Sequence, residues 1–167
     1  MAELDSTRRR VIEILKNHAR EEMLLLQRLA DEDIALMNDM DAILSKAYPT
    51  SAAPDAGVHV TTSAVHPDEK LITIVDERSK RTQMSEMRKA PLRHQLQQIY
   101  LVEEIVQQLD TNDKCALTAL YYPNRTYDEA AKLLGMDRST LRRHAAIAIN
   151  RLVQRADRTG MFYGGER

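Results

Sequence analysis

Residues 125–152 read RTYDEAAKLLGMDRSTLRRHAAIAINRL, and this stretch decides how the rest of the chain is understood. The pattern predicts a helix, a tight turn and a second helix. Thr126 is placed to cap the first, with Glu129 three residues on to complete a capping box. Ala130, Leu133 and Leu134 supply an apolar face, and Gly135 falls where a helix end favours a left-handed residue. Asp137 can cap the second helix. Its apolar positions Leu141, Ala145, Ala148 or Ile149, and Leu152 recur at spacings of three and four. Between them the first turns carry Arg138, Ser139, Thr140, Arg142, Arg143 and His144. Hydrogen-bond donors set this way could reach phosphates and base edges in a major groove while the other side of the helix is buried. The same residues would also suit a plain helical hairpin with a solvated arginine face. The coincidence of caps, glycine, apolar register and basic first turn favours the DNA-reading arrangement.

Taken with the residues just before it, ALTALYYPNRTYDEAAKLLGMDRSTLRRHAAIAINRL (116–152) resembles the part of bacterial sigma factors that reads the −35 promoter element. Glu129, Ala131, Leu134, Gly135, Arg138, Arg142 and Leu152 fall on matching positions. The resemblance implies a helix-turn-helix over 111–158, with Arg138, Ser139, Thr140, Arg142, Arg143 and His144 toward the groove. Arg125, Thr126 and Lys132 would meet phosphates, which position the protein without reading sequence.

Composition agrees with a helical protein. Of 167 residues, 43 % are hydrophobic and 29 % charged, with one Phe, no Trp and five Gly. Such scarcity of aromatic and glycine residues favours helix over strand, so the expected class is all-α. A net charge of −1 seems wrong for a nucleic-acid partner until it is divided. Residues 111–158 hold nine Lys/Arg against five Asp/Glu, a local +4, which leaves −5 on the remainder. DNA affinity follows the local patch. Cys115, the single cysteine, is expected as a small core residue and excludes an internal disulfide or a cysteine zinc site. Neither a signal peptide nor a membrane span is apparent, and a cytoplasmic protein is expected.

Upstream, residues 1–47 predict one long helix without Gly or Pro. Ile12, Leu15, Ala19, Met23, Leu26, Ala30, Ile34, Met37, Asp41 and Leu44 form a stripe with an eleven-residue repeat. A helix of this length, ~60 Å at 1.5 Å per residue, outruns one small core. The stripe is expected to pack in an intrachain bundle or against a second copy, giving a homodimer. Residues 48–67 are a polar loop or linker holding three of the five prolines, with His59 and His66 as surface residues. The span 68–110 predicts a second helical segment, stopped or kinked near Pro91, and 159–167 a flexible tail. Thr111 is the expected cap of the next helix, whose core face would hold Cys115 or Ala116, Leu117 and Leu120.

The order of these pieces sharpens the resemblance. A long N-terminal helix, a polar loop with Val58, Val60 and Ser63, Asp68 and Lys70 at the next turn, a long helix and a sigma-like module resemble the phage ArpU/RinA-type transcriptional regulators. That family implies a promoter-binding regulator of late or packaging genes, with double-stranded DNA as partner and host RNA polymerase as a further candidate. The runner-up is a small terminase-like DNA-packaging protein that recognises a packaging site. An enzyme is disfavoured: no nucleophile–base spacing, phosphate-cradling glycine loop, paired catalytic carboxylates or metal cluster stands out, and no cofactor is expected.

Overall fold

A computed structural model describes residues 2–47 and 67–162, apart from the side chains of 2–4 and 67. Five helices follow in order: α1 (Ala2–Ala47), α2 (Pro67–Gln107), α3 (Thr111–Tyr121), α4 (Tyr127–Leu134) and α5 (Arg138–Arg158). No strand occurs among the described residues, and the protein is all-α with two long helices first. The linker expected at 48–67 lies outside the described residues except for Pro67, as do His59, His66 and the last five residues. No described helix is long and apolar enough to cross a membrane. The chain divides into two compact units, Met1–Leu25 with His94–Arg167, and Leu26–Arg93. The division falls inside both long helices.

In the first unit the apolar core draws on Val11, Ile14 and Leu15 of α1, and on Ile99, Val102, Ile105 and Val106 of α2. Leu117 of α3 and Ile149, Leu152 and Val153 of α5 are buried with them. Side chains fix the pieces to one another. Arg10 Nε donates to Gln98 Oε1 at 3.3 Å, and Gln98 Nε2 donates to the Met161 carbonyl at 3.0 Å, so the chain just after α5 is held at its first residues. Asn124 Nδ2 donates to the Lys16 carbonyl at 3.1 Å, and the rings of His18 and Tyr122 lie 4.2 Å apart.

In the second unit, the end of α1 runs antiparallel to the start of α2. Arg81 pairs with Asp39 at 3.5 Å, Arg88 with Glu32 at 3.4 Å and Lys89 with Asp33 at 2.7 Å. Lys89 and Arg93 also bracket Glu86, and the Arg93 guanidinium, followed by the Lys89 ammonium, holds its carboxyl down at about 2. Among the described residues, Ile43 is the sole buried hydrophobic residue of this unit.

Three expectations are corrected here. The face of α1 that is buried within the chain is not the eleven-residue stripe: Val11, Ile14, Leu25 and Ile43 are buried and Leu29, Leu36 and Met40 half-buried, close to a seven-residue repeat. A two-helix seam selects 3.5 residues per turn, because that period keeps facing side chains in register. Of the predicted stripe, Leu15 is buried, whereas Met23, Leu26, Ile34, Met37 and Leu44 are exposed. Secondly, of the stop or kink expected at Pro91 the stop is excluded, since α2 continues to Gln107 around it. Thirdly, the cap of α3 is Asp110, not Thr111, and its side chain makes no capping hydrogen bond.

Candidate nucleic-acid interface

Helices α3, α4 and α5 pack on one another around a small core of Ala116, Ala119, Leu120, Ala130, Ala131, Leu141 and Ala145. Alanines on all three helices allow close approach, and the two leucines fill the space between. Tyr121, Tyr127 and Leu134 close its edge. Cys115 is exposed, against expectation. Asp113, Ala116, Leu117 and Leu120 take the inward face of α3, which turns Cys115 into a groove of about 680 Å³ walled by Leu109, Tyr122, Leu133 and Leu134.

The local geometry of the turn follows the sequence closely. Thr126 and Glu129 form a reciprocal capping box: the Thr126 hydroxyl accepts from the Glu129 N–H, and the Glu129 carboxylate accepts from the Thr126 N–H at 2.9 Å. The Thr126 N–H and hydroxyl both donate to that carboxylate and hold its pKa below the usual value. Gly135 ends α4 with φ 61°, and its N–H reaches back to the carbonyls of Ala131 and Lys132. Only glycine enters this left-handed region without steric cost. Asp137 then caps α5, accepting from the Ser139 N–H at 3.0 Å. Its pKa is lowered, first by the Ser139 hydroxyl and then by backbone N–H groups. Asn124, at φ 52°, makes the other sharp turn, after α3. Asparagine tolerates that region better than most residues.

On α5 the burial alternates as predicted. Leu141, Ala145, Ala148, Ile149 and Leu152 are buried, while Arg138, Ser139, Arg142 and Arg143 are exposed and Thr140 is half-buried. Four of the nine candidate residues thus lie together on the exposed first turns of one helix. Arg125, Thr126 and Lys132 are exposed on the preceding turn and on α4. His144 behaves differently. Its Nδ1 lies 2.8 Å from Asp113 Oδ1, with the side chain 22 % exposed. It serves the α3–α5 contact rather than the open face.

Several contributing residues escaped the sequence reading. Asp113, with a side chain 6 % exposed, also accepts from Arg151 at 2.9 Å, and Arg151 bonds Asp110 as well. This network locks α5 onto the start of α3. Asp128 holds Arg138 at 3.2 Å, and the Arg142 guanidinium sits 5.6 Å from the centre of the Tyr127 ring. Lys16 of α1 joins Arg125 along a hollow of about 400 Å³ lined also by Tyr121, Asn124 and Tyr127. Arg138 and Arg142 are thereby pre-oriented at the surface, which lowers the entropy lost on meeting an anionic partner. Among the described residues no group of His, Cys, Asp and Glu is arranged to hold a metal ion.

No family model matches the chain, and no curated protein or solved structure matches it closely enough to be counted as a relative.

Proposed function

We propose that the protein is a sequence-specific double-stranded-DNA-binding regulator of transcription that reads a major groove with α5, as the phage regulators it resembles would. The observation that carries this reading is the split of α5. One side is anchored in an alanine-rich core, and the other displays Arg138, Ser139, Arg142 and Arg143 within six residues of a capped, left-handed turn. A helix N-terminus adds its own positive dipole to those donors. Arg142 and Arg143 would contact base edges, Arg138 and Ser139 the flanking phosphates, and Arg125, Thr126, Lys132 and the newly placed Lys16 the backbone beyond. Regulation through host RNA polymerase is part of the same reading, and so is action as a homodimer on paired half-sites.

The test begins with selection of bound sequences from random DNA by the full chain, which should enrich one motif. Arg143→Ala should then weaken the selected site by about 1–3 kcal/mol and relax its sequence preference, whereas Lys132→Ala should weaken selected and random DNA alike. Equal losses on both DNAs for both variants would remove the case for base reading. Failure to bind any DNA at low salt would remove the proposal.

A further inference from the structure

Lys16 of α1 and Arg125 of the α3–α4 turn line one hollow of about 400 Å³, and among the described residues no carboxylate joins them there. In the same compact unit Arg10, Arg138 and Arg151 each hold an acidic side chain. The side chains of Lys16 and Arg125 make no ion pair or hydrogen bond with another described residue. Arg125 does act on the Glu129 carboxylate, but the Thr126 N–H and hydroxyl already occupy that group. Arg8 adds a third positive charge close enough to be felt by Tyr121. Cations gathered without a counter-charge repel one another, and an anion set between them removes that cost. The fold fixes the walls. Asn124, at φ 52°, donates from Nδ2 to the Lys16 carbonyl at 3.1 Å and so ties α1 to the turn. The Arg125 N–H bonds the Leu120 carbonyl at 2.9 Å, which sets how the turn leaves α3. Tyr121 and Tyr127 share a hydrogen bond through their hydroxyls, which leaves one phenolic O–H free to donate. Cationic donors beside aromatic walls suit a phosphate carried on a sugar better than a bare ion, since the pentose can lie against a ring.

We infer that this hollow binds one phosphate ester group, held jointly by Lys16 and Arg125 with a tyrosine hydroxyl as a further donor. The site itself needs no DNA; that its ligand is a phosphodiester of a bound duplex rests on the DNA-reading proposal. Tyr127 favours that source. Its ring lines the hollow and also lies 5.6 Å, centre to guanidinium, from Arg142. A phosphate seated there is one ring away from an arginine assigned to base edges. The joint hold distinguishes this site from two independent backbone contacts. Because Lys16 belongs to α1, the same phosphate ties the first long helix to the duplex.

Lys16→Gln, Arg125→Gln and the double variant of the full chain test this, each first checked for an unchanged amide spectrum away from the hollow. In one arm the probe is thymidine 5′-monophosphate, with thymidine as control and no DNA present. The nucleotide should shift the amides of Lys16, Tyr121, Arg125 and Tyr127 saturably, the nucleoside should not, and the double variant should lose the response. The other arm uses the selected duplex. Each phosphate neutralised adds about 0.9 to the slope of log affinity against log salt, so a shared phosphate predicts a loss of about 0.9 in the double variant, and two separate phosphates about 1.8. A single neutral methylphosphonate moved along each strand should weaken the native chain about tenfold at one position and leave the double variant unaffected there. A response to the nucleotide alone would keep the site and assign it to a free phosphate ester; a response in the duplex alone would keep it and assign it to DNA. The inference is overturned if neither arm responds, if the double variant responds as the native chain does, or if the two side chains answer to different phosphates. Absence of all DNA binding would end the DNA-reading proposal and leave the nucleotide arm to decide this one.

Discussion

Leu141→Ala should separate the three-helix module from the rest of the chain energetically. Leu141 is fully buried, and its neighbours in the core are five alanines and Leu120. The substitution removes about three methylene equivalents, worth ~0.8 kcal/mol each in transfer, or about 2.4 kcal/mol. A cavity term adds to this, and alanine neighbours have no side-chain freedom with which to refill the space. The total should be about 4 kcal/mol, within the range of measured Leu→Ala losses. That is about a thousandfold in the equilibrium between closed and open module. Because the two compact units need not open together, the assay is native-state hydrogen exchange of α5 amides in the full chain rather than a single melting curve. Leu133→Ala, at a position 60 % exposed on α4, is the control and should cost under about 0.5 kcal/mol. If Leu141→Ala costs less than the control, or speeds exchange no more in α5 than in the second unit, the reasoning about this core is wrong.

Gly135→Ala should cost about 1–2 kcal/mol although a Cβ there meets nothing within 4 Å, because the cost is conformational and not steric. Gly135→Asn should cost less, and equal losses for the two in chemical unfolding would count against the left-handed cap as the cause. The capping carboxylates also set an acid limit. Glu129 and Asp137 have depressed pKa values when folded, so their contribution is complete above the ordinary values of 4.5 and 3.8 and is lost as pH falls through the lower folded ones. Glu129→Gln should therefore flatten the acid side of a stability–pH profile, and an unchanged slope would contradict the linkage.

What could be read from sequence and what could not divides along physical lines. The Thr126–Glu129 box, the Gly135 turn, the Asp137 cap and the buried run from Leu141 to Leu152 depend on residues within a turn or two of one another, and all were legible. The packed face of α1 was not. Its apolar residues allow both a seven- and an eleven-residue line, and only the partner helix chooses between them. Cys115 is not placed by sequence for a similar reason, since Ala116 and Leu117 fill the same inward side. The Asp113–His144 and Asp113–Arg151 contacts join residues 31 and 38 positions apart, beyond any periodicity. Polar residues carry no sign in sequence of which turn inward, so His144 reads like its exposed neighbours.

The proposed DNA contact is tested most directly by amide chemical-shift mapping of the isotope-labelled full chain during titration with a duplex carrying the selected sequence. Salt-sensitive changes are expected at Arg138–Arg143, with weaker ones at Lys16, Arg125, Thr126 and Lys132, and none along the Leu26–Leu44 face of α1. Changes concentrated on that α1 face or in the groove beside Cys115, with α5 unmoved, would contradict the proposed contact.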